Sequence, residues 1–132
     1  MQAQHRLRTT ADFERVRRRG RSWGSELLVL YAARSDQQGT RCGFAVSRRV
    51  GQAVVRNRVR RRLREIARQR LPRLRPGWDL VFSARPTAAG ASFAELGLTV
   101  DRLLDRARLL DGPGGTGATG TRSEAPSEAQ GS

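Results

Sequence analysis

No lysine occurs in this sequence, and cysteine, histidine, methionine and tyrosine occur once each. Each scarcity removes a class of protein. The lone Cys42 can form no internal disulfide, so the chain is not a disulfide-stapled scaffold and fits a reducing, cytoplasmic setting. Cys42 stands beside Gly43 and Phe44 in an apolar run and reads as a small buried hydrophobe. The lone His5 lies in an N-terminal stretch expected to fray, which leaves no histidine base and no Cys/His zinc spacing. The 12 acids are scattered along the chain, whereas a two-metal nuclease needs several converging carboxylates. Asp101 and Asp105 lie four apart among arginines and read as surface pairing partners. The one glycine-rich run, "GPGGTG", has no strand before it and is no phosphate loop. No apolar run approaches the ~20 residues that span a bilayer, and "MQAQHRLRTT" has no apolar core of a secretory signal. These gaps describe a binder rather than a catalyst.

What is present is arginine. All 26 basic residues are arginine, and the formal charge is +14. Residues 41–75 hold 13 arginines against one acid, Glu65. Eight of those arginines fall between residues 56 and 70. The remainder of the chain is nearly neutral, so one basic segment sits on a neutral body. Such a run repels itself unless a polyanion is its partner, and guanidinium groups fork onto phosphates with paired donors. The absence of lysine itself we attribute to composition rather than function.

The basic segment reads as a helix over residues 54–70. Val55, Val59, Leu63 and Ile66 form one stripe, under ~90° wide at the helical period. Asn57, Arg61, Arg64 and Arg68 fall on the opposite face, with Arg56 and Arg60 at the margin. A membrane-surface helix would carry Trp or Phe on its buried side; this narrow aliphatic stripe suits packing on a sheet. Upstream, "TTADFERVRRRG" reads as a helix capped by Thr9 or Thr10 and stopped at Gly20. "ELLVLYAARS" and "RCGFAVS" read as strands joined by a hairpin loop, "SDQQGT". Leu28, Leu30 and Ala32 share one face of the first; Val29 and Tyr31 share the other. In the second, Phe44 and Val46 oppose Gly43, Ala45 and Ser47. "LPRLRPG" ends the basic helix, and "WDLVFSAR" is a further strand. A last helix opens on a Ser92-x-x-Glu95 capping box, with Phe93, Leu96, Val100, Leu103, Leu104 and Ala107 on its core side. Residues 111–132 are low-complexity and read as a disordered tail after a single domain over 1–110. Phe13 and Tyr31 could offer rings to unpaired bases above the small Ala45 and Ser47. From the residues alone Phe13 fits a core position better, and Tyr31 fits either.

The stretch "SRRVGQAVVRNRVRRRLRE" closely resembles the signature of the bacterial ribonuclease P protein subunit: a Ser and two basic residues, a Gly, an Ala-Val pair, Arg-Asn-Arg and a basic helix. "RLRTTADFERVRRRG", "WDLVFSARP" and "SFAELGLTVDRLLDRA" extend the likeness over residues 6–108. The resemblance implies an α+β sandwich of order αβββαβα, like the second domain of ribosomal protein S5, with a left-handed βαβ crossover. It implies a protein that binds a catalytic RNA subunit and the 5′ leader of precursor tRNA and assists endonucleolytic removal of that leader. On this reading the RNA and substrate hold Mg2+ and no protein residue is catalytic. No organic cofactor, membrane or obligatory protein partner is expected. Arg48, Arg49, Arg56, Asn57, Arg58, Arg60, Arg61, Arg64 and Arg68 match the positions implied to contact the RNA subunit. Phe13, Arg17, Val29, Tyr31, Ala45 and Ser47 match the leader cleft. Arg17 departs from the family, where a second aromatic is common; a phosphate or cation–π contact is expected instead. The alternative is a ribosomal or other structured-RNA-binding protein with no role in cleavage.

Overall fold

The computed structural model describes Arg6, Leu7 and residues 9–110; His5 and the proposed tail lie outside the described residues. Seven elements follow in order: α1 (Thr10–Arg19), β1 (Arg21–Gly24), β2 (Leu28–Arg34), β3 (Arg41–Ala45), α2 (Ala53–Arg70), β4 (Trp78–Ala84) and α3 (Phe93–Arg106). Short 3-10 turns precede α2, follow it, and precede α3. The order is the αβββαβα that the resemblance implies.

The strands form one mixed sheet in the order β1-β2-β4-β3. β2 pairs antiparallel with β1 and β4, and β3 pairs parallel with β4. The expected hairpin between β2 and β3 does not exist. β4 lies between them, and the "SDQQGT" loop passes its end, where the Ser35 N–H donates to the Gly77 carbonyl. The reason is the composition of β4. Leu80, Val81 and Phe82 are all buried, so this strand needs neighbours on both edges and layers on both faces. β1, only four residues long, has no alternation by which it could be located in the sequence. It exists because β2 templates it through a turn in which the Ser25 hydroxyl donates to the Leu28 carbonyl.

The two faces sort as the alternation predicts. Leu28, Leu30, Ala32, Cys42, Phe44, Leu80 and Phe82 pack under α2 and α3. Burial first, with Asp79 adding to it, pushes the Cys42 thiol up to about 12, so it behaves as an inert hydrophobe. Tyr31, Ala33, Ala45 and Val81 face α1, packing with Val16 and Leu7. α2 buries Val59, Leu63, Ile66 and Ala67, with Val55 partly covered. α3 has both bonds of its capping box. Phe93, expected in the core, is 41% exposed, because it precedes the first buried position of that helix, Leu96.

α1 is capped by Thr9, whose hydroxyl accepts from the Asp12 N–H. It ends at Gly20 for a reason local sequence does not reveal: a Cβ there would lie 2.2 Å from the Ala32 carbonyl oxygen. The helix end is thus pressed against β2. A second tie is electrostatic. Asp79, fully buried at the start of β4, accepts from Arg41 of β3 at 3.0 and 2.9 Å and from Arg15 of α1 at 2.8 Å. Replacing Asp79 by Ala leaves the Arg41 guanidinium without its carboxylate and leaves Arg15 with Asp12 alone, at 3.2 Å. Because both are partly exposed, the cost is expected at about 2–3 kcal/mol, below that of a fully buried pair. A lowered urea midpoint checks this; an unchanged midpoint would show that the cluster does not hold α1.

Candidate nucleic-acid interface

The arginines of α2 divide into three rows. One row faces α3 and the turn before it: Arg58 donates to the Ala89 carbonyl at 3.3 Å, Arg62 to the Ala91 carbonyl at 2.8 Å, and Arg70 to both Asp101 oxygens at 2.7 and 2.9 Å. These side chains fasten the helix, so Arg58 commits one of its donors to the fold. Asp101 is the pairing partner its surroundings suggested. The second row points outward. Asn57, Arg61 and Arg68 are exposed, and Arg68 forks onto Glu65.

The third row, Arg56, Arg60 and Arg64, faces the side of the N-terminal segment. Arg56 donates to the Gly51 carbonyl at 3.1 Å, and Arg60 to the Asn57 side chain at 2.9 Å. The spacing places Arg64 on the outward face, but the structure turns it to this flank. There Arg60 and Arg64 line a pocket of about 260 Å³ with Arg6, Leu7, Phe13, Cys42 and Phe44. No carboxylate lines it. Burial first, then the charges of Arg6 and Arg60, lower the Arg64 guanidinium below its ordinary value. Its Nε is buried without a hydrogen-bond partner. Like charges gathered around an unspent donor favour an anion in the pocket. Arg6 and Leu7 reach this place by adding to the edge of β3, where the Leu7 N–H donates to the Cys42 carbonyl at 2.9 Å. Sequence reading did not single them out as site residues; the basic "RLR" beside the first helix was the available signal.

Ahead of α2, Ser47 caps a 3-10 turn by accepting from the Arg49 N–H, leaving Arg48 and Arg49 exposed. Val50 is buried, and Gly51 takes a φ of +153°, where an added Cβ would lie 3.0 Å from the Val55 side chain. A side chain at 51 would be strained and crowded, which explains this glycine of the motif.

On the α1 face of the sheet the predicted cleft residues gather. The Phe13 ring lies directly on Gly43, whose absent Cβ would meet it at 2.7 Å. Phe13, Tyr31 and Ala45 are partly buried in one cluster. Val29 is buried, two residues before Tyr31 on the same strand, and Ser47 is exposed beyond Ala45. Arg17 lies over Tyr31, its Cζ 5.6 Å from the ring centroid, a cation–π contact within the protein itself. Phe13 belongs both to this cluster and to the arginine pocket, so the two surfaces meet there. A larger hollow of about 590 Å³ lies between α3 and the β1–β2 turn. Its lining mixes Glu26 and Glu95 with Arg102 and Arg106, which suits a polyanion poorly. Among the described residues no group of three or more His, Cys, Asp or Glu could hold a metal ion, and no helix is long and apolar enough to cross a membrane.

Comparison with known proteins agrees with this geometry. The Ribonuclease P family signature matches residues 1–108. The ribonuclease P protein component of Roseiflexus castenholzii is 49% identical over 113 residues, 85% of this chain and 93% of that protein. That of Acidothermus cellulolyticus is 48% identical over 106 residues, 79% of this chain and 88% of its own. The Staphylococcus aureus RNase P protein superimposes with a TM-score of 0.75 at 25% identity, covering 81% of this chain and 98% of the other. The Thermotoga maritima RNase P protein gives 0.70 at 28% identity, covering 76% and 96%.

The division of α2 predicts opposite phenotypes for two neighbouring arginines. Arg62→Ala loses a partly buried bond to a backbone carbonyl and is expected to cost about 1–2 kcal/mol in urea unfolding. Arg61→Ala is expected to stay within about 0.5 kcal/mol while lowering the salt slope of binding to a structured RNA by about 1. The reverse pattern would overturn the assignment of the rows.

Proposed function

The chain belongs to the ribonuclease P protein family, and we propose that within the ribonuclease P ribonucleoprotein its outward arginines bind the RNA subunit while its α1-side cleft holds the 5′ leader of precursor tRNA. The RNA subunit carries out the hydrolysis on this reading. Mg2+ is held by that RNA and the substrate, and no organic cofactor takes part. The protein works in the cytoplasm without an obligatory protein partner.

The observation that carries the reading is the continuity of the arginine flank with the aromatic cleft at Phe13. Two polyanions, RNA subunit and leader, repel each other when brought together. Arg48, Arg49, Arg56, Asn57, Arg61 and Arg68 lie where a large RNA can reach them, with Arg58 contributing its remaining donors. Arg60 and Arg64 stand between that surface and the cleft, where they act on both. Tyr31, Ala45, Val29 and Ser47 floor and edge the leader path, with Phe13 and Arg17 above. An unpaired leader exposes base faces, and half-buried rings offer stacking without demanding a sequence. Each phosphate neutralised adds about 0.7–0.9 to the salt slope of binding. Damping of the repulsion also lowers the magnesium concentration at which substrate is held. No observation favours the ribosomal alternative over this role.

The test is cleavage of precursor tRNA by a bacterial ribonuclease P RNA at low magnesium, with and without the protein. Strong cleavage is expected only with both, and none with protein alone. Tyr31→Ala is expected to weaken binding of long-leader substrates roughly tenfold and to spare leaderless ones. Equal effects on both substrates would remove Tyr31 from the leader path, and no stimulation by the wild-type protein would remove the proposed role.

A further inference from the structure

Two hollows lie on the side of α3 away from α2. The larger, of about 590 Å³, opens toward the β1–β2 turn and is floored by Leu27, Ala91 and Leu103. The smaller, of about 270 Å³, opens toward Arg73 and Leu110. Leu98 and Arg102 line both and form the ridge between them. Leu98 is 55% exposed, although α3 already has a full buried row in Leu96, Val100, Leu103 and Leu104. Four of the chain's 12 acids, Glu26, Glu95, Asp101 and Asp105, line these hollows against three arginines. In a chain of formal charge +14, this is a side on which positive charge does not accumulate.

At the helical period Glu95, Leu98, Thr99, Arg102 and Arg106 fall within about 100° of arc. The stripe has an acid at its N-terminal end, a leucine near its middle and two arginines at its C-terminal end. Such an order complements itself when reversed. We propose that this face of α3 binds a second copy of the chain, the two helices antiparallel about a two-fold axis between Leu98 and Thr99. Glu95 then faces Arg102 of the partner subunit, Arg102 faces the partner's Glu95, and each Leu98 enters the larger hollow of the other copy. The groups are available for this. Among the described residues Arg102 makes no hydrogen bond or ion pair, Arg106 spends one donor on the Gly24 carbonyl at 2.9 Å, and Glu95 spends one oxygen on the Ser92 N–H at 2.8 Å. Charge selects the occupant. A polyanion would meet four carboxylates here, and two chains this basic repel each other wherever arginine dominates. A nearly neutral face with opposite charges at its two ends removes that barrier and sets the orientation. The pairing also leaves the nucleic-acid surfaces open: the larger hollow lies at the β1 edge of the sheet, the arginine pocket at the β3 edge, and the α1 cleft on the opposite face. The core of one copy is closed without the other, so association is reversible. A 14-residue helix is about 21 Å long, short for a standard interface of about 1,600 Å², and the midpoint is expected at roughly 10–100 μM.

The experiment is sedimentation equilibrium of the full-length protein at about 0.15 M salt. The weight-average mass is expected to rise with concentration from 14.7 kDa toward twice that value. Leu98→Asp and Arg102→Glu are each expected to raise the midpoint about tenfold or more, because the two-fold axis applies every change twice. Glu95→Arg is expected to do the same; its helix keeps a capped start, since the Ser92 hydroxyl accepts from the backbone N–H of residue 95 at 3.0 Å. An equimolar mixture of the Glu95→Arg and Arg102→Glu chains is expected to associate again, because only the mixed pair has opposite charges at both ends. Arg18→Gln is expected to associate like the wild type. Thermal unfolding of each variant at low concentration separates lost association from lost fold. A wild-type mass that stays at 14.7 kDa up to about 0.5 mM, well above the expected midpoint, overturns the proposal in favour of another cover for this face, either residues 111–132 of the same chain or a different protein. Association that survives Leu98→Asp, or a mixture that stays monomeric, places the contact elsewhere and overturns it as well.

Discussion

The fold and its candidate site both depend on the carboxylate of Asp79. It is fully buried, and an ion so placed is tolerated only when its lone pairs are filled. Arg41 fills them from β3 and Arg15 from α1, at distances of 2.8 to 3.0 Å. Arg15 lies between Phe13 and Arg17 on the same helix. The ion cluster therefore sets the position of α1 on the sheet, together with the close approach at Gly20 and the burial of Val16. With α1 so placed, Phe13 comes down on Gly43 and Arg17 on Tyr31. A charge cluster of structural character thus determines where the candidate cleft opens.

The distribution of positive charge follows a related logic. A helix with eight arginines between residues 56 and 70 is costly to hold against a neutral body. Part of that cost is offset by using Arg58, Arg62 and Arg70 as donors to carbonyls and to Asp101. The part left over is concentrated at Arg6, Arg60 and Arg64, where no carboxylate answers it. Uncompensated charge at one flank is a poor way to stabilise a monomer and a good way to receive a phosphate backbone. The same side chain type serves both ends because guanidinium is weakly hydrated, forked and always charged. What decides between structural and binding use is only the direction in which each residue leaves the helix.

Much of this was determined by the sequence itself, wherever the governing interaction is local. The α2 stripe at Val55, Val59, Leu63 and Ile66 follows from helical spacing, and the Ser92–Glu95 box from one turn of backbone. The two faces of β2 and β3 follow from the pleat. The ordered motif from Ser47 to Glu65 carried the family, and the positive segment carried the class of partner. Three things were decided only by tertiary structure. β4 separates β2 from β3, because a strand buried on both faces takes the centre of the sheet, and pairing partners are chosen across some forty residues of chain that no local pattern spans. β1 forms because β2 templates it. And Arg6, Arg64 and Phe13 meet in one pocket because α1, the N-terminal segment and α2 converge at the β3 edge. The chemistry of each residue is written in the chain, but the distances between residues remote in sequence arise only when the core closes.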